Sequence, residues 1–133
     1  MDKKTVGLIQ AHLEKAGEKL RASKNSLKSG DYDDAVSRAY YCAFHAAKAV
    51  LLTEGLTAQT HQGVVNLFGL HFAKTARVNR RYGKFLSNLK DDRENGDYEI
   101  YSAIEKSDAE EAIREASEFL QEMEKFLKPF LGS

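Results

Sequence analysis

Ser37-Arg38-Ala39-Tyr40-Tyr41-Cys42-Ala43-Phe44-His45-Ala46-Ala47-Lys48-Ala49-Val50-Leu51-Leu52 reads as an unbroken helix of about four turns. The stretch holds neither Gly nor Pro, and alanine has the highest intrinsic helix propensity. Small side chains at Ala39, Ala43, Ala46, Ala47 and Ala49 let another helix approach closely, either in the same chain or in a second subunit. A central packed helix is predicted over about residues 32 to 53, stopped by Gly55.

Outward from this helix the apolar spacing stays helical. Val6, Ile9, Leu13, Ala16, Leu20 and Leu27 form one stripe and predict a first helix over about residues 4 to 29. Gly30 suits the left-handed residue that ends a helix, and Asp31 can cap the next one. After a polar turn from Leu56 to Thr60, a third helix is expected near 61 to 74, where Gly63 and Gly69 read as close-packing positions. A basic loop follows, then a fourth helix over about 80 to 95 that stops at Asn95-Gly96. Ser107-Asp108-Ala109-Glu110 reads as a capping box opening the last helix. Ala112, Ile113, Ala116, Phe119, Leu120, Met123, Phe126 and Leu127 give that helix a broad apolar face. The only proline is Pro129, and no strand-like alternation appears. These features predict an all-α, up-and-down bundle of four to five helices in a single domain spanning residues 1–133.

Composition narrows the function classes. Twenty basic and twenty acidic residues cancel, which argues against broad charge-driven binding of nucleic acid while allowing a local patch. Lys74, Arg77, Arg80, Arg81 and Lys84 are one such patch, or else a solvated helix start. Cys42, the only cysteine, cannot form an internal disulfide and reads as a buried, inert thiol suited to a reducing cytoplasm. Neither a signal peptide nor a membrane-length apolar run is expected. His12, His45, His61 and His71 lack metal-ligand spacing, so neither a metal nor any other cofactor is anticipated. His61 is expected near a helix cap or on the surface.

Two groups of residues carry the candidate chemistry. Arg38, Tyr41 and His45 share one face of the central helix, as positions three and four apart do. They could present a guanidinium, a phenol and an imidazole to a phosphate-bearing ligand, or hold the bundle in register through carboxylates and carbonyls. The second group is Leu89-Lys90-Asp91-Asp92-Arg93-Glu94-Asn95-Gly96-Asp97-Tyr98. In it Arg93, Asp97 and Tyr98 are either ligand-binding or a structural knot. Tyr40, Tyr41, Phe44, Tyr98 and Tyr101 offer stacking surfaces, although aromatics at helical spacing also serve as core.

Taken together, the Ser37–Ala47 run, the Arg93 to Tyr98 segment and the alanine-rich last helix resemble the HEPN (higher eukaryotes and prokaryotes nucleotide-binding) domain in its short prokaryotic, stand-alone branch. The resemblance covers roughly residues 5 to 130. It implies a helical domain, often a homodimer, paired with a minimal nucleotidyltransferase in a two-component system resembling toxin–antitoxin pairs, with nucleotide or RNA as ligand. In that toxin branch a tyrosine near the motif is a modification target, which makes Tyr98 and Tyr101 candidates.

Ribonuclease members carry an arginine, four to six variable residues and a histidine. Arg93 matches the arginine, but Tyr98 stands where the histidine is expected and Glu94 follows the arginine. A tyrosine titrating near 10 is a poor proton shuttle at neutral pH. Arg38 and His45 also satisfy the spacing, but from the middle of an earlier helix. The resemblance therefore implies a binding module first. A metal-independent endoribonuclease using Arg93 with His45 or Tyr98 is the alternative, and a structural adaptor is a third reading.

Overall fold

Asp2 opens the first helix, its carboxylate accepting the Thr5 N–H at 2.7 Å, so one of the unpartnered donors of the first turn is satisfied locally. The computed structural model describes residues 1–98 and 104–132, with the side chains of Asp97 and Tyr98 excepted. Five α-helices follow in order: α1 Lys3–Lys28, α2 Tyr32–Leu51, α3 His61–Phe68, α4 Arg80–Tyr98 and α5 Lys106–Leu127. A 3₁₀ turn, Leu52–Glu54, extends α2 to a left-handed Gly55, and another, Lys128–Leu131, extends α5. No strand occurs among the described residues, and the fold is all-α as expected.

The alanine-rich helix is the hub, with α1, α4 and α5 packed around it. Ala39, Ala43, Ala46, Ala47 and Ala49 are all fully buried within the chain, so the close approach their size permits is used by intramolecular neighbours. Ile9 and Ala16 of α1 and Phe119, Met123 and Leu127 of α5 complete the core, and each is fully buried. Cys42 is buried too, its thiol near the Ala116 carbonyl of α5 at 3.9 Å.

Five local expectations need correcting. Asp31 does precede α2, but its side chain accepts no capping hydrogen bond; the turn rests on backbone bonds and on Gly30 at φ +79°. The third helix reaches position 73 only by widening from α to a π turn at Gly69–Ala73. Gly63 packs closely, since a Cβ there would lie 2.9 Å from Thr60 Oγ1, but a Cβ on Gly69 would meet nothing within 4 Å. The fourth helix does not stop at Asn95-Gly96: it runs on to Tyr98, and a Cβ on Gly96 would come within 2.8 Å of the Ile104 side chain. That glycine allows a close approach and ends nothing. Finally, the box that opens α5 sits two residues early, with Asp108 accepting the Glu105 N–H at 2.9 Å.

Candidate functional site

Arg93 of α4 lies across α2, its guanidinium carbon 5.1 Å from the Tyr41 ring centre and 5.7 Å from that of Tyr40. The separation is within the range at which a guanidinium is attracted to an aromatic face. One turn earlier, Lys90 is almost fully buried and ends in an ion pair with Glu94 at 2.5 Å. That pairing holds the Glu94 carboxyl below its ordinary range, so the acid beside Arg93 is an already-satisfied anion.

The third contributor is His61, the first residue of α3. Its Nδ1 lies 2.7 Å from the Tyr40 hydroxyl, and its ring stacks on Phe44 at 4.4 Å between centres. Thr60 fixes the helix start by accepting the Gly63 N–H at 2.9 Å, which sets His61 against α2. Burial, with Arg93, Lys90 and Lys48 nearby, holds the imidazole below its usual titration range. Burial also raises the Tyr40 hydroxyl, which stays protonated at neutral pH. The site therefore presents a partly exposed guanidinium, a neutral imidazole and an aromatic shelf of Tyr41 and Phe44 on one face.

The face predicted for Arg38, Tyr41 and His45 divides three ways. Arg38 donates through Nε to Asp34 Oδ2 at 2.7 Å, one turn back on its own helix. The same oxygen accepts from Ser26 of α1 at 2.5 Å, a clamp between the two helices. Tyr41 lies under Arg93. His45 turns toward α1, its Nδ1 3.1 Å from Nδ1 of His12. Burial, then His12 and the lysines at 48, 19 and 15, lower His45 to about 4. The imidazole that faces the Arg93 cluster is thus His61, which reaches it from a different helix. Asp97 and Tyr98 side chains, and Tyr101 altogether, lie outside the described residues.

Sequence spacing could not reveal His61: it lies 21 residues from Tyr40, and only the fold of the Leu56–Thr60 turn brings it back. Two of the five basic residues after α3 are committed to structure. Arg77 pairs with Glu54 at 2.6 Å and covers Phe72, and Arg81 reaches Glu118 at 3.3 Å. No group of three or more metal-ligating side chains converges among the described residues, and no described helix is long and apolar enough to cross a membrane.

An alanine-rich central helix, crossed by a fourth helix that places an arginine on its aromatic face, defines a small all-helical domain of one recognisable class. The HEPN domain family profile matches residues 9–126, and the chain belongs to that family. It is 40% identical over 123 residues to a Methanocaldococcus jannaschii protein named "Putative toxin MJ0605", covering 92% of this chain and 91% of that one. It is also 35% identical over 121 residues to a Thermotoga maritima UPF0332 protein, covering 91% and 92%. The crystal structure of TT1696 from Thermus thermophilus shares the fold with a TM-score of 0.75 at 25% identity, over 90% of this chain and 98% of that one.

Proposed function

We propose that this chain is a HEPN binding module whose α2–α4 face takes a nucleotide or an RNA phosphate, and that it acts as a homodimer with a minimal nucleotidyltransferase in a toxin–antitoxin-like pair. The observation that carries this reading is Arg93 held over Tyr40 and Tyr41. A guanidinium supplies a planar fork for phosphate oxygens, and an aromatic ring beside it supplies a stacking surface for a base. The toxin name of a relative that matches nearly end to end supports the two-component setting. Calorimetric titration with nucleoside monophosphates tests the ligand, with loss of binding expected in Arg93→Ala. Light scattering of the purified protein tests the dimer, and a monodisperse monomer at micromolar concentration rules it out. Co-purification of a nucleotidyltransferase in stoichiometric amount tests the partner.

A second reading draws on the position of His61. A nuclease of this family needs an imidazole near its arginine, and the chain has Tyr98 at that place in sequence. His61 is close enough to Arg93 for the guanidinium to depress its titration. Metal-independent cleavage of RNA would then use Arg93 with His61, not with His45, whose ring is engaged with His12. Cleavage that persists in chelator and disappears in both Arg93→Ala and His61→Ala is expected under this reading. No cleavage, or cleavage indifferent to both changes, removes it.

A further inference from the structure

His12 and Lys48 line one end of a small cavity of about 190 Å³ between α1, α2 and the stretch after Gly55. His12 sets its Nδ1 3.1 Å from Nδ1 of His45, which leaves Nε2 as its remaining polar ring atom. Burial and Lys48 hold the His12 ring below its usual titration range, so of the lining residues only Lys48 is charged at neutral pH. Lys48 is itself partly buried, with Nζ 5.3 Å from the Phe44 ring centre, and it pairs with no carboxylate among the described residues. One turn further along each helix the lining turns aliphatic. Leu8 of α1 and Leu52 at the end of α2 stand there, joined by Leu56 and Ala58 from the connection, with Thr57 exposed beside them. Leu8 is left 45% exposed, so the aliphatic end still has apolar surface to cover.

We propose that this cavity binds a small monocarboxylate with an apolar tail of about six carbons, its head at His12 and Lys48 and its tail among Leu8, Leu52, Leu56 and Ala58. An apolar cavity of about 150 Å³ holds one benzene ring, so the volume here suits a tail of that size plus a head group. It falls below the roughly 300 Å³ at which drug-sized ligands begin to fit. A carboxylate supplies the anion that Lys48 lacks, and Nε2–H of His12 donates to it when His45 donates to Nδ1. The tail leaves water for the leucine wall and covers Leu8. The cavity shares no lining residue with the Arg93, Tyr40, Tyr41 and His61 cluster, so its occupancy is independent of the nucleotide reading.

Amide chemical-shift titration of the intact protein with hexanoate, set beside 1-hexanol and acetate, tests the proposal. Hexanoate should saturate with a Kd on the order of 0.1–1 mM, the range for so small a ligand in a good site, and shift amides of residues 8–12 and 48–58. Hexanol, with the tail but no anion, should bind about tenfold more weakly, and acetate, with the anion but no tail, not measurably. Lys48→Gln should bring hexanoate down to the hexanol value while leaving hexanol unchanged. Ala58→Leu fills the tail end and should abolish both. Hexanol as tight as hexanoate, or shifts confined to other segments, overturns the proposal. So does the absence of saturable binding in the intact protein, a result that depends on no variant folding. Amides of the same segments that move on raising the protein concentration alone, with hexanoate without effect, would give the cavity to a second copy of the chain and equally overturn it.

Discussion

The Tyr40 hydroxyl and Nδ1 of His61 stand 2.7 Å apart, joining the middle of α2 to the first residue of α3. Tyr40 is fully buried and its phenol stays protonated; with that O–H donating to Nδ1, the ring proton of neutral His61 sits on Nε2. Nitrogen-15 chemical shifts should show that tautomer. Tyr40→Phe removes the donor while keeping the ring, and should cost about 1–2 kcal/mol of stability in denaturant unfolding. A mixture of tautomers in the unmodified protein would count against the assignment.

Below neutral pH the stability should fall because of His45. Its folded titration point of about 4 lies under the unfolded 6.5, so the unfolded chain takes up the proton first. Stability is full above about 6.5 and is lost as the pH drops from there toward 4. His12 is shifted the same way by burial and by Lys48, and it adds to the slope. One proton contributes at most about 1.4 kcal/mol per pH unit, and partial exposure of the pair reduces that. Urea titrations at several pH values should give a flatter profile for His45→Gln.

The Cys42 thiol should be inert in the native protein. It is fully buried, and burial pushes it up to about 12, so almost no thiolate forms at pH 8. A disulfide reagent should react only as fast as the protein opens, and at once in denaturant. Rapid labelling of the folded protein would show that the α2–α5 packing is looser than described.

Ala76 is the only non-glycine residue with positive φ among the described residues, at +60° in the loop between α3 and α4. An alanine in this left-handed region costs roughly 1–2 kcal/mol. Ala76→Gly should raise stability by about 0.5–1 kcal/mol, after the extra freedom glycine has when unfolded, and shift the melting temperature by about 2–5 °C. An unchanged or lower melting temperature would contradict the backbone assignment.

Much of the architecture was legible in the sequence because it is set by local periodicity. The α1 stripe, the apolar face of α5 and the ends of α2 lie within a residue or two of where spacing puts them. Legibility failed where a distant contact overrules a local signal. Gly96 looks like a helix stop, yet Ile104 closes over it and the helix continues. Asp31 fails for a local reason instead: it looks like a cap, yet neighbouring backbone bonds around Gly30 hold the turn without its side chain.

The candidate site divides along the same line. The sequence by itself determined the helices, the alanine spine and the presence of Arg93 and Tyr41 on elements able to meet, because each depends on steps of three or four residues along one helix. Only the tertiary structure decided the partners. It turned His45 away to His12, set the Asp34 of the Arg38 pair against Ser26 of α1, and brought His61 of α3 and Lys19 of α1 to the rings of Phe44 and Tyr41. Such contacts depend on the angles and registers at which whole helices cross, and no one-helix periodicity encodes those.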